Sequence, residues 1–205
     1  MDNGSGIWKS LAPYKDIIVF VVAMLAANYF WKFTFTGDES GTEVMWLGID
    51  VTAPFALMAR HIASVSAWVI ELFRDTVRYI EPYTLRFDTG TGVKIVWGCT
   101  GLKQSFIWLV IMLAAAGSWR RKLWFIPLGW LCIYVFNLLR IIIVAFIIEF
   151  HPELFELLHS YIFKYMFYFM LFMLWVGWTE RWGIDPKDGN SGSRATATAQ
   201  TGSED

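Results

Sequence analysis

Cys99 stands in the run Gly98-Cys99-Thr100-Gly101-Leu102-Lys103, directly ahead of the apolar stretch at 106–116. A thiol at the start of a helix feels the partial positive charge of unpaired backbone N–H groups, which lowers its pKa and raises its thiolate fraction. Lys103, about one turn further on, adds to that field and is a candidate substrate-binding cation. Glycines on both sides leave the sulfur reachable by an approaching chain. Taken alone, the same pattern also fits a small apolar residue at a helix start, with the glycines serving only a turn.

Forty-one residues later, Arg140 interrupts the apolar run 122–150. A guanidinium inside a spanning helix costs about 2.5–3.5 kcal/mol on insertion scales, so it requires partners or a task. Asn137 lies three residues earlier on the same helical face, placed to hydrogen-bond the guanidinium or a substrate backbone. Cys132 shares that face about 12 Å deeper and is read as helix packing. Nineteen residues beyond Arg140, His159 opens the final apolar run. His151 is its rival, but it precedes Pro152 in a loop with no helix to fix it.

A thiolate attacks carbonyl carbon, an imidazole takes and returns protons near neutral pH, and a fixed cation steadies the oxyanion of a tetrahedral intermediate. Cys99, His159 and Arg140 therefore form a candidate cysteine acyl-transfer centre. Resolution of the thioester by water gives a protease; resolution by an amine or hydroxyl gives a transpeptidase.

The elements that must position these groups are hydrophobic helices. Of 205 residues, 56% are hydrophobic and 18% aromatic, which places the chain among integral membrane proteins. About 20 apolar residues cross a hydrocarbon core of roughly 30 Å. Expected spans are 16–33, retained and not cleaved as a signal peptide, then 105–119, 122–150 and 160–179. Residues 53–80 are helical in pattern, but Arg60 and His61 interrupt them and Glu71, Arg74, Asp75 and Arg78 recur at three- and four-residue spacings. They read as an amphipathic interfacial helix. Residues 84–87 and 93–97 are β-prone runs around a Gly-containing turn, a small extramembrane hairpin. The fold class is thus an all-α membrane bundle of about four spanning helices, with an interfacial helix and a hairpin. One unit covers 1–184, and 185–205, rich in Gly, Ser, Thr and Ala, is expected to be a disordered cytoplasmic tail.

Arg120, Arg121 and Lys122 form the strongest cytoplasmic marker, whereas the loop at 36–50 is acidic and 149–158 holds three glutamates with no Lys or Arg. The positive-inside rule then sets Cys99, Arg140 and His159 together at the extracytoplasmic face of a multi-pass protein. A net charge of -1 argues against a nucleic-acid partner. Two cysteines make no disulfide framework, and neither metal nor cofactor is expected, since no Cys/His cluster has ligand spacing. No internal repeat or paired broken helix suggests a transporter.

The order C-[ST]-G before one span, N-x-x-R within the next and His opening the last resembles the exosortase/archaeosortase family, prokaryotic integral-membrane cysteine enzymes. Cys99, Thr100 and Gly101, then Asn137 and Arg140, then His159 carry the resemblance, over about 93–178. It implies that Cys99 is the nucleophile, Arg140 the oxyanion stabiliser or a clamp for a substrate carboxylate, and His159 the general acid/base. It further implies substrates that are membrane proteins bearing a C-terminal sorting signal of short motif, apolar helix and basic cluster, cut near the motif in the prokaryotic cell (inner) membrane, the new C-terminus passing to a membrane or surface acceptor. The alternative is a non-enzymatic membrane subunit of a polysaccharide-export or secretion assembly, with Arg140 binding a lipid phosphate or a partner's acid.

Overall fold

A computed structural model describes residues 14–37, 43–73 and 77–182. Arg74, Asp75, the 185–205 tail and, within the acidic loop at 36–50, Asp38 and Glu39 lie outside the described residues. Five α-helices dominate: α1 (Lys15–Thr34), α2 (Thr52–Glu71), α3 (Leu102–Ala114), α4 (Trp119–Phe150) and α5 (Phe163–Trp182). By length and composition four helical segments can cross a membrane: α1, α2, α4 and the run Pro152–Arg181 that ends in α5. The expected span at 105–119 is instead the 13-residue α3, because the chain leaves helical geometry at Ala115.

The longest helix, α4, is the strut. Its 32 residues extend about 48 Å, well beyond a hydrocarbon core. Around its first half pack α1, α3 and α5, in one apolar cluster that includes Phe20, Ile111, Phe125 and Leu171. Ala23 and Ala27 on α1 and Gly129 on α4 are the small residues that let these helices approach closely. At Gly129 a Cβ would fall inside the Trp108 indole of α3. Lys122 does more than mark a loop: it is buried, its Nζ donates to the Ala115 carbonyl at 2.6 Å, and it lies over the Trp119 ring. It thereby satisfies a carbonyl at the C-terminus of α3.

Around the second half of α4 lies a different cluster, in which Ile62, Ala63 and Ile70 of α2 meet Leu85, Ile95, Ile141 and Ala145. His61 Nε2 and Tyr134 Oη are 2.9 Å apart across this seam. The expected helix over 53–80 ends at Glu71, and 77–80 is a strand, β4 (Val77–Ile80), so Glu71 and Arg78 never share a helical face. In β4 burial alternates, with Val77 buried and Arg78 exposed, the period of a half-buried strand. The anticipated hairpin is present as β5 (Thr84–Phe87) and β6 (Gly92–Lys94), antiparallel with Thr84 opposite Lys94, and β4 extends it to three strands, Val77 opposite Phe87. A second small antiparallel sheet, unforeseen, joins β1 (Phe35–Gly37), β2 (Val44–Trp46) and β3 (Ile49–Asp50) ahead of α2.

Gly129→Val should therefore force the α3–α4 seam apart, costing about 1–3 kcal/mol, read as a lowered unfolding temperature of the detergent-solubilised protein.

Candidate active site

Between β6 and α3 the chain makes a 3₁₀ turn, Trp97–Cys99, that aims Cys99 inward. The Cys99 N–H donates to the Val96 carbonyl at 2.8 Å and the Thr100 hydroxyl to the Trp97 carbonyl at 2.7 Å. Gly101 then turns the chain into α3 at φ +76°, a left-handed conformation that favours glycine. This accounts for the Cys-Thr-Gly order: a thiol, a hydroxyl that closes the turn, and a residue free to reverse it.

Asn137, expected to reach the guanidinium or a substrate backbone, has another task for its amide. Its Nδ2 donates to the Cys99 carbonyl at 2.7 Å, tying the turn to α4. One helical turn further, Arg140 is 6% exposed, with its guanidinium 5.8 Å from the Phe167 ring centre and in reach of the Cys99 sulfur. Arg140 Nε is buried without a hydrogen-bond partner among the described residues.

His159 comes from a third direction. After α4 a 3₁₀ turn, Pro152–Leu154, leads to a π-helical segment, Leu157–Ile162, that runs into α5. π-Helical turns are rare and recur at functional sites. Here the widened turn carries the imidazole, which Phe155 stacks against at 5.1 Å between ring centres and 14° between planes. His159 Nε2 is 3.3 Å from Cys99 Sγ. His151 is exposed and paired with Glu153 at 3.0 Å. Cys132 is a half-buried free thiol.

Arg140, His159 and Lys103 share a cavity of about 480 Å³ that Gly98 also lines. Two of its other cations, Lys32 at the end of α1 and Lys164 at the start of α5, escaped the sequence reading. Both are basic residues at the end of the bundle away from Arg120–Lys122, a breach of one-sided charge that could have flagged them.

A family profile, that of the transmembrane exosortases (Exosortase_EpsH), matches residues 17–177. The chain belongs to the transmembrane exosortase family. The match begins in α1, so membership covers the first half of the exosortase chain as well as the motif-bearing second half. No curated protein and no solved structure matches it.

The thiol differs from the sequence expectation in its poise. Cys99 is buried, not open between glycines, and sits two residues ahead of the Gly101 cap. Burial pushes its thiol up, and the Arg140 guanidinium pulls the other way. Burial thus favours the thiol over the thiolate at Cys99. In a Cys132→Ala background, the pH midpoint for Cys99 alkylation should lie above the ordinary thiol range, and Arg140→Gln, by removing the opposing pull, should raise it further; a midpoint lowered by Arg140→Gln would contradict this electrostatic account.

Proposed function

We propose that this exosortase-family protein is a cysteine protease or transpeptidase whose reacting groups are Cys99, His159 and Arg140, acting on membrane proteins with a C-terminal sorting signal. The observation that carries the reading is the 3.3 Å approach of Cys99 Sγ to His159 Nε2 beside the Arg140 guanidinium, with His159, Arg140 and the neighbouring Gly98 lining one cavity.

The chemistry follows from those positions. On substrate arrival the Cys99 proton passes to His159 Nε2, and the sulfur attacks the scissile carbonyl carbon to form a tetrahedral oxyanion. Arg140 Nε–H, unpartnered among the described residues, is placed to donate to that oxygen. Collapse breaks the C–N bond, the imidazolium returns its proton to the leaving amine, and a thioester remains on Cys99. Water or an amine then attacks the thioester with His159 as base, and the thiol is regenerated. A neutral, buried thiol beside its base delays nucleophile formation until a carbonyl is in place. Burial also keeps Arg140 strong, because its field is weakly screened there.

Arg140 lies 18 residues along α4 from Lys122, about 27 Å, so these groups face the side opposite the Arg120–Lys122 cluster. With basic loops inside, that side is extracytoplasmic, and the host membrane is the prokaryotic cell membrane.

Cys99→Ala and Cys99→Ser should abolish processing of a tagged sorting-signal substrate while the protein stays in the membrane. His159→Ala should do the same, and Arg140→Gln should slow processing by about 10²–10³, the usual cost of one oxyanion donor. Unchanged processing by Cys99→Ala would favour the non-enzymatic subunit.

A further inference from the structure

Three lysines converge on the cavity beside Cys99 from three different helices: Lys32 from α1, Lys103 from α3 and Lys164 from α5. Lys103 is within electrostatic range of both others. Among the described residues no carboxylate lines the cavity, and none of the three lysines has an ion-pair or hydrogen-bond partner. Such clustering raises the energy of the unliganded protein, because like charges repel wherever no counter-charge intervenes. The cavity the lysines line also takes in Arg140, about 27 Å along α4 from Lys122, and so lies away from the Arg120–Lys122 end where the charge rule already accounts for basic residues.

The same wall holds polar groups left without partners. Among the described residues, Trp31 Nε1 and Arg140 Nε, both N–H donors, and Gln104 Oε1 are buried without a hydrogen-bond partner, and all three residues line this cavity. Donors and cations outnumber acceptors, so the complementary ligand is an anion. Its geometry is constrained too. Carboxylates pair best with the planar fork of an arginine, whereas ammonium groups approaching from several directions suit a tetrahedral oxyanion with acceptors on every side. Beside the cavity, Tyr29 and Phe33 of α1 and Tyr165 and Met166 of α5 are exposed apolar side chains, the surface a bilayer would cover. Lys32, near the end of α1, and Lys164, at the start of α5, thus stand at the ends of helices with exposed apolar faces, where membrane helices meet headgroups.

We propose that Lys32, Lys103 and Lys164 form a phosphate-binding subsite next to Cys99, which takes the phosphate of a lipid headgroup or of a soluble phosphorylated molecule. Binding needs no turnover, so the subsite goes beyond the proteolytic reading and is tested apart from it.

The test uses the full chain carrying Cys99→Ala, in neutral detergent, titrated with inorganic phosphate and separately with short-chain phosphatidic acid, at matched ionic strength. Binding is read by calorimetry and by the shift in unfolding temperature. Phosphate ligands should bind, each single Lys→Gln change should weaken binding about tenfold, and Lys→Arg should largely preserve it. Arg120→Gln with Arg121→Gln, at the other end of the bundle, should leave it unchanged. Phosphatidic acid binding without inorganic phosphate binding identifies the lipid source, and comparable binding of both identifies a soluble ligand; either supports the subsite. Absence of binding by both probes would overturn it, as would full binding by all three single Lys→Gln variants or tighter binding of a polyglutamate peptide. Loss of processing chemistry in the wild-type chain, with phosphate binding intact, would remove the enzyme proposal and leave the subsite standing.

Discussion

A guanidinium buried among apolar helices is the constraint to which the rest of this exosortase is fitted. Arg140 sits where the two hydrophobic clusters around α4 meet, 6% exposed, with an aromatic face on one side and the Cys99 sulfur on another. A charge so placed is costly unless the surroundings compensate it, and it cannot be removed by deprotonation as a lysine's can. Compensation here is partial: the Phe167 ring and the sulfur supply polarisable contacts, while one N–H has no partner among the described residues. Donor capacity left over on a buried cation is what a site needs if it is to favour an oxyanion that exists only during reaction.

How the thiol is poised follows from the same packing. A cysteine at an exposed helix terminus would be ionised early and open to oxidation. In this fold the 3₁₀ turn draws it back from the helix end into the cluster formed by α2, α4 and the β4–β6 sheet, where burial opposes ionisation. The local rule about helix ends was sound, but it assumed an exposed sulfur, and only the tertiary arrangement supplies the burial that outweighs it. Asn137 is a further instance. Its spacing from Arg140 was legible, but the partner of its amide, a backbone carbonyl 38 residues upstream, was not.

Chemistry was the most readable part of the chain, because membrane helices have few polar residues and each one stands out. Cys99, Arg140 and His159 could be selected by type, depth and side, and the structure brings them together. Long apolar runs marked α1, α4 and α5 for the same reason. Short strands carry weaker signals: β4 was absorbed into a supposed helix because Arg78 matched a four-residue spacing, while the alternation of its four residues is too brief to compete. Sheet β1–β3 was hidden in an acidic loop. Lys32 and Lys164 were hidden by their apolar neighbours, since a single cation near a span end reads as an anchor until three-dimensional convergence reveals company.

The π-helical segment that bears His159 separates two demands that an ordinary helix would fuse. An α-helix advances about 100° per residue, so adding one residue would swing every side chain on one flank away from its neighbours. Accommodating that residue as a widened turn absorbs the rotation locally. The imidazole can then be aimed at the sulfur while the hydrophobic stripe of α5, from Phe167 to Trp178, keeps its seating in the bundle. The aim of the imidazole and the seating of the helix thereby become independently adjustable within one continuous stretch of chain.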